Sequence, residues 1–154
     1  MDKLYKCSKL EKTDVQNRII ESNKGMMDRD DLVKWVSAGL EVGGHTCSHP
    51  QLSKIDRAMV EKEPWISKSK LEEITKKEAP IFAYPYGMRG YCNRDMIGLV
   101  QKTGYKCAVS LIAGINTLKT NRFDLKKIAV GRNLDFQELC DRIKQNFLKE
   151  LIFR

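Results

Sequence analysis

Histidine, proline and aromatic residues are scarce in this sequence, and long apolar runs are missing. Its 154 residues include two histidines, four prolines and 8% aromatic residues. No apolar run approaches the roughly 18 residues that indicate a membrane-spanning helix, so the sequence predicts no membrane span. Residues 1–7 contain no apolar segment of the kind found in signal peptides. We therefore expect a cytoplasmic protein.

Cysteine occurs five times, an odd number without a CxxC pair. This usage fits reduced thiols better than a disulfide framework. Cys107 and Cys140 lie in apolar patterns, so we expect them in or near the core. Cys47 lies between the two histidines, where its thiolate could bind a metal ion. The favoured interpretation of Cys47 is a small side chain in a tight loop.

The charge balance is basic, with 28 Lys and Arg against 20 Asp and Glu and a net charge of +8. Such an excess can indicate an anionic partner. However, the basic residues alternate with acidic ones, as in residues 68–73, KSKLEE. No nucleic-acid-binding motif is present. We therefore expect a solvated basic surface and no binding of nucleic acid.

The length suits one domain over residues 1–154 that buries a real core. Within it, a polar and poorly defined N-terminal segment, 1–25, precedes the main unit, 26–150. A short helix is predicted to begin near Asp14 in the first segment. In the main unit, Asp28 and Asn93 are suitable helix N-caps, and Pro64 is expected to break or kink a long helix.

Apolar periodicity then predicts an alternating order of helices and strands in the main unit. Predicted helices cover 28–38, 53–77, 93–103 and 136–148, and predicted strands cover 40–44, 79–83, 105–111 and 127–130. Ile55, Met59, Trp65 and Ile66 are expected on the buried side of the second helix. The alternation indicates an α/β fold with a mostly parallel sheet and a site at the carboxyl ends of its strands.

Both histidines lie just after the first predicted strand, in the sequence His45-Thr46-Cys47-Ser48-His49-Pro50. Side chains four residues apart on a turn face the same way, so His45 and His49 could bind one metal ion. Pro50 excludes an ordinary helix through the pair. A pair of polar loop histidines without metal explains the spacing equally well.

A second stretch, 80–87 (PIFAYPYG), ends an apolar run in a proline and glycine turn. Together with 39–55 (GLEVGGHTCSHPQLSKI), it resembles the polysaccharide deacetylase family, also called the NodB-homology or carbohydrate esterase 4 group. The YPYG form is most similar to the branch that deacetylates poly-N-acetylglucosamine. The resemblance extends over residues 28–130 and implies part of a NodB-type (β/α)7 barrel.

The resemblance also implies a metal-dependent hydrolase that removes N-acetyl groups from N-acetylhexosamine polymers. On this chain, it makes His45 and His49 the ligands of a divalent metal, zinc foremost. Tyr86 would donate its backbone N–H to the oxyanion. Tyr84, Pro85, Tyr86 and Ser48 would contact the substrate, although the YPYG segment and Ser48 could also serve the turn and loop geometry alone.

Parts of the family pattern have no match in this sequence. The first motif, a strand that ends in Thr-Phe-Asp-Asp, is not found before His45, and no histidine follows His49. We therefore expect a truncated deacetylase domain over 26–150, with a weakly bound metal and weak or no activity. The alternatives are a non-catalytic carbohydrate-binding or regulatory module, or a fragment that needs a partner chain. Open sheet edges favour a homodimer or such a partner.

Overall fold

The computed structural model describes residues 27–88, 93–131 and 133–152, the last three through their backbone alone. The predicted helix near Asp14 and the segment 1–25 lie outside these ranges. The helices are α1 (Arg29–Ser37), α2 (Arg57–Thr75), α3 (Arg94–Lys102) and α4 (Phe136–Ile152), with a 3-10 turn at Leu52–Lys54. The strands are β1 (Gly43–Gly44), β2 (Ile81–Ala83), β3 (Cys107–Ala113) and β4 (Leu125–Lys127).

The strands of the described ranges form one sheet in the order β1-β2-β3-β4, and every neighbouring pair is parallel. The pairing aligns Gly43 with Ile81, and Ile81 with Cys107. A helix follows β1 and β2 before the next strand, as right-handed crossovers in parallel sheets require. The predicted α/β fold with a parallel sheet is thereby confirmed.

All four described helices begin at polar side chains that accept hydrogen bonds from the first turn, Asp135 accepting from the Glu138 N–H at α4. Asp28 and Asp31 form a reciprocal capping box at α1. Asp56 caps α2, and Asn93 caps α3 as predicted. α1 ends before Gly39, whose φ of +80° suits glycine. Local sequence signals thus place most of the helix ends.

Pro64 was predicted to break or kink the helix over 53–77, and the break does not occur. α2 runs through it from Arg57 to Thr75, and Pro64 is fully buried. A proline inside a helix costs about 3 kcal/mol, partly because it cannot donate to the carbonyl four residues earlier. Packing of α2 against α1, α3 and β1 offsets this cost. Tyr105 Oη also donates to the Pro64 carbonyl at 3.1 Å, and burial raises the pKa of Tyr105 to about 12.

The buried face of α2 also differs from the prediction. Met59 and Trp65 are exposed, with 38% and 57% of their surfaces accessible. The buried positions on this helix are Val60, Glu63, Pro64, Ser67 and Thr75, whose spacings of three, four and eight residues fit one helical face. Ile55 and Ile66 are half-buried. The predicted helical phase is wrong because three of the buried positions, Glu63, Ser67 and Thr75, are polar.

Strand bounds differ from all four predicted ranges, 40–44, 79–83, 105–111 and 127–130. β1 and β2 are shorter, β3 is shifted to Cys107–Ala113, and β4 overlaps its predicted range only at Lys127. A strand is defined by its hydrogen-bonded partners, and β1 is paired only where it runs beside Ile81 and Phe82. Cys107 and Cys140 are half-buried, and neither belongs to the core cluster described below.

The core lies between the sheet and helices α2 and α3. Its ten buried members are Leu52, Val60, Phe82, Tyr84, Met96, Leu99, Val100, Tyr105, Ala108 and Phe123. Ile55 and Ile97 pack against this cluster from its margin. In the part of the chain that the structure describes, no helix combines the length and apolar character needed to cross a membrane. The core fixes the ends of β1 and β2, where the candidate site lies.

Candidate functional site

The carboxyl ends of the four strands border one open pocket of about 410 Å³. His45 follows β1, Tyr86 follows β2, Leu111 lies in β3, and Lys127 ends β4. His49 also lines the pocket, although it lies six residues beyond Gly43 in the loop after β1. The topology thus brings together the predicted histidines and Tyr86. Leu111 and Lys127 were not predicted for the site.

The two imidazoles lie side by side, with ring centroids 4.8 Å apart and planes inclined at 70°. His45 Nδ1 lies 2.7 Å from the carbonyl oxygen of Ala83. A carbonyl oxygen only accepts, so Nδ1 carries the proton and Nε2 remains as the basic nitrogen. Metal-ligating histidines usually have one ring nitrogen fixed in this way. The arrangement of His45 therefore suits a ligand that binds through Nε2.

Tyr86 borders the histidine pair from β2. Its ring centroid lies 4.9 Å from that of His49, and half of its surface is accessible. Its φ of +52° is unusual for a residue other than glycine. No described residue accepts a hydrogen bond from the Tyr86 N–H. This N–H is therefore available to donate to an oxyanion, the role that the family resemblance implies for Tyr86.

The loop that carries the histidines has a strained backbone. Thr46 and His49 have φ values of +65° and +54°. The Thr46 hydroxyl donates to the carbonyl of His45 at 2.5 Å and accepts from the N–H of His49 at 3.1 Å. This one hydroxyl therefore links the two histidines.

Glu63 on α2 binds the middle of the same loop, and it was not predicted from the sequence. Its Oε2 accepts from the N–H groups of Cys47 and Ser48 at 2.8 and 3.1 Å, and its Oε1 accepts from Ser48 Oγ at 2.7 Å. Burial alone would raise the pKa of Glu63. The hydrogen bonds from Ser48 and Cys47, together with the charge of Lys70, lower that pKa below its ordinary value.

The remaining predicted substrate residues have structural partners. Ser48 Oγ donates to Glu63, as above, and Tyr84 Oη donates to the Phe123 carbonyl at 2.9 Å. Tyr84 and Pro85 are fully buried, although Tyr84 forms part of the pocket wall. Ser48 and Pro85 are not among the pocket's lining residues. Their roles in substrate binding stay predictions.

The described residues place two potential metal donors side by side. His45 and His49 are two suitable donors, but no group of three His, Cys, Asp or Glu that could hold a metal ion occurs within the described ranges. Asp28 and Asp31 are used in the cap of α1, and Cys47 is exposed outside the pocket lining. Two donors fit weak binding, since protein zinc sites generally use at least three.

Comparison with known proteins identifies the family of this chain. The family model described as polysaccharide deacetylase matches residues 8–108, about two thirds of the chain. The chain belongs to the polysaccharide deacetylase family. This confirms the resemblance inferred from the histidine and YPYG motifs, while the particular branch stays a prediction.

The match to a curated relative takes up a larger share of this chain than of the relative. It is 31% identical, over 98 residues, to the uncharacterized 30.6 kDa protein in the fumA 3' region of Geobacillus stearothermophilus. That match covers 63% of this chain and 36% of the relative.

Solved structures share the fold. The deacetylase PplD of Streptococcus pyogenes, in complex with acetate, has a TM-score of 0.70 and 20% identity, covering 80% of this chain and 54% of that one. The polysaccharide deacetylase BC0361 of Bacillus cereus has a TM-score of 0.68 and 23% identity, covering 78% and 37%. The chain therefore spans about a third to a half of the length of these relatives.

Proposed function

We propose that this chain provides the histidine part of a metal-dependent N-deacetylase site for N-acetylhexosamine polymers. The observation that carries the proposal is the histidine pair. The ring centroids of His45 and His49 lie 4.8 Å apart at the carboxyl end of a parallel sheet, and the Ala83 carbonyl fixes Nδ1 of His45. This pair lies in a chain of the polysaccharide deacetylase family.

His45 and His49 would hold a divalent cation, zinc foremost. When bound, such a cation polarises the acetyl carbonyl and lowers the pKa of a water molecule. The Ala83 carbonyl keeps the His45 ring oriented with Nε2 unprotonated. The N–H of Tyr86 would donate to the oxygen of the acetyl group as negative charge develops on it.

The other lining residues suit an acetylated sugar. The half-exposed Tyr86 ring offers a flat apolar face, on which a sugar ring can pack. Leu111 adds an apolar surface for an acetyl methyl group, and Lys127 adds a donor for hydroxyl or carbonyl oxygens. These contacts support an acetylated polysaccharide as the substrate class, because such a polymer offers both polar oxygens and apolar methyl and ring faces.

Catalytic power depends on groups that the described pocket does not contain. No Asp or Glu is among its lining residues, so the described part of the chain offers no carboxylate base there. A positioned general base or acid contributes about 10²–10⁴-fold each. We therefore expect weak metal binding and little turnover by this chain alone.

The lack of Asp and Glu among the described lining residues also supports a second candidate, a module that binds acetylated sugar without cleaving it. It needs the pocket and the Tyr86 ring, but neither metal nor base. A third arrangement, in which a partner chain supplies the carboxylates, would use the histidine pair unchanged. Metal dependence separates the binding module from the other two candidates.

The test is acetate release from N-acetylglucosamine oligomers with Zn²⁺, Co²⁺ or Ni²⁺, run beside His45→Ala. Trace metal-dependent release that His45→Ala removes supports the deacetylase. Oligomer binding that is unaffected by metal and by His45→Ala, without release, supports the binding module. Robust release would show that a carboxylate outside the described pocket completes the site.

A further inference from the structure

The histidine loop needs an external support to keep its shape. Residues 45–50 contain no helix or strand, and two of them, Thr46 and His49, have left-handed backbone conformations. Such conformations persist in residues other than glycine only where surrounding contacts determine them. The Thr46 hydroxyl links the ends of the loop, but it belongs to the loop itself. A fixed group outside the loop must therefore hold its middle.

Glu63 is that group. It lies on α2, which packs against β1, and only 6% of its surface is accessible. Its carboxylate accepts three hydrogen bonds from Cys47 and Ser48, and no lysine or arginine of the described ranges donates to it. A carboxylate in this position is costly to bury unless donors satisfy it. The loop supplies those donors, so the loop and the carboxylate stabilise each other.

The two residues that Glu63 binds lie between His45 and His49 in the chain. A shift of the Cys47–Ser48 backbone would move both imidazoles, because the two histidines are one and two residues away from it. The charge also matters, since hydrogen bonds to an ionised acceptor are about twice as strong as neutral ones. Glu63 does not line the pocket, so its influence must pass through the loop.

We infer that Glu63 is the positioning residue of the histidine pair, fixing the Cys47–Ser48 backbone so that His45 and His49 can bind one cation. The inference deepens the proposed function and rests on it for the metal. Its structural half, the control of loop order by Glu63, stands on the hydrogen bonds alone.

The substitution Glu63→Gln keeps the size of the side chain and removes its charge. One amide oxygen can still accept from the backbone, while the amide nitrogen replaces the second acceptor. Glu63→Ala removes all three bonds. Glu61→Gln is the matched control. Glu61 is exposed on the same helix, two residues before Glu63, and its replacement by glutamine removes the same charge.

Co²⁺ titration of the full chain, followed by its visible absorption, measures the pair directly. We expect Glu63→Gln to weaken Co²⁺ binding about 10-fold and Glu63→Ala by up to about 100-fold, the range found when groups that orient metal ligands are removed. Glu61→Gln should bind as the unmodified chain does. Circular dichroism at the titration temperature ensures that only folded variants are compared. Unchanged Co²⁺ affinity and spectrum in folded Glu63→Gln would overturn the inference.

Amide hydrogen exchange by NMR separates this inference from the proposed function. In Glu63→Gln, we expect faster exchange at the Cys47 and Ser48 amides and unchanged exchange in β2 and β3. If the unmodified chain binds no Co²⁺, the proposed metal function fails, and exchange alone decides the role of Glu63. Acceleration confined to the loop then supports control of the loop by Glu63. Unchanged exchange, or acceleration throughout the fold, refutes it.

Discussion

The Nδ1 atom of His45 lies 2.7 Å from the carbonyl oxygen of Ala83. This hydrogen bond joins the loop after β1 to the end of β2, two segments 38 residues apart in sequence. It determines which nitrogen of His45 faces the pocket, and it makes the orientation of a site residue depend on strand pairing.

The first prediction concerns the donors of the metal site. His45→Ala or His49→Ala should lower Co²⁺ affinity by at least about 100-fold, because loss of a ligand costs more than the 10–100-fold typical of its supporting partners. Isothermal titration calorimetry measures the change. Cys47→Ser is the control, since Cys47 is exposed outside the pocket lining. A comparable loss in Cys47→Ser would make the thiolate a ligand.

A second prediction concerns close packing beneath β1. A Cβ added at Gly44 would lie 1.9 Å from Tyr105 Oη and 3.0 Å from Ser67 Oγ. Gly44→Ala should therefore lower the free energy of unfolding by about 1–3 kcal/mol, the usual cost of overpacking. Urea denaturation provides the measurement.

Gly98→Ala is the matched control for Gly44→Ala. Gly98 lies inside α3, and nothing lies within 4 Å of the Cβ that alanine would add. Alanine in a helix interior is favoured over glycine by about 0.5–1 kcal/mol. The two alanine substitutions should thus have opposite signs. Equal effects would mean that the contact between Gly44 and Tyr105 is not formed in solution.

The third prediction concerns acid. The pKa of Glu63 is lowered from its ordinary value of 4.5, because hydrogen bonds from Ser48 and Cys47 outweigh the effect of burial, with help from Lys70. A group with a depressed pKa contributes stability above its unfolded value and loses that contribution as the pH falls through its folded value. The stability contributed by Glu63 should therefore be complete above about pH 5 and decline below it.

Chemical denaturation between pH 3 and 7 tests this expectation, with Glu63→Gln as the comparison. The variant lacks the titrating group, so the difference in unfolding free energy between the two proteins should shrink on acidification. Glu61→Gln, on the exposed side of α2, should not change the pH profile. A difference that stays constant from pH 7 to pH 3 contradicts the prediction.

The fourth prediction concerns self-association. In the described part of the chain, β1 and β4 are the outer strands of the sheet, and no described strand covers their free edges. α4 also exposes Phe136, Ile143 and Phe147, which recur at intervals of seven and four residues. Open edges and apolar stripes favour pairing with another chain. We expect a dimer at micromolar concentration in sedimentation velocity.

Phe147→Glu tests the contribution of α4 to that dimer. It places a charge in the apolar stripe and should raise the dimer dissociation constant at least about 10-fold, a loss of about 1.4 kcal/mol. Leu118→Glu is the control, because Leu118 is exposed in the loop between β3 and β4. A monomer at all concentrations would contradict the predicted dimer.

Local patterns in the sequence determined the order of the elements. Alternating helical and strand periodicity predicted the parallel α/β fold, and caps such as Asn93 depend on residues within the same turn. The motifs around His45 and Tyr86 placed them after successive strands, and strand order then brought them to one pocket. These features could be predicted because each depends on neighbours in the chain or on one rule of parallel sheets.

Only the tertiary structure decided what supports those motifs. Pro64 stays within α2 because packing outweighs a local cost, and β1 is short because its length depends on a partner strand. Glu63 looks like any other acidic residue on a polar helix, since its partners are 15 and 16 residues away. The sequence therefore placed His45, His49 and Tyr86 at one edge of the sheet, whereas long-range packing determined their orientation and added Leu111 and Lys127. Hydrogen bonds between distant segments leave no periodic trace in the sequence.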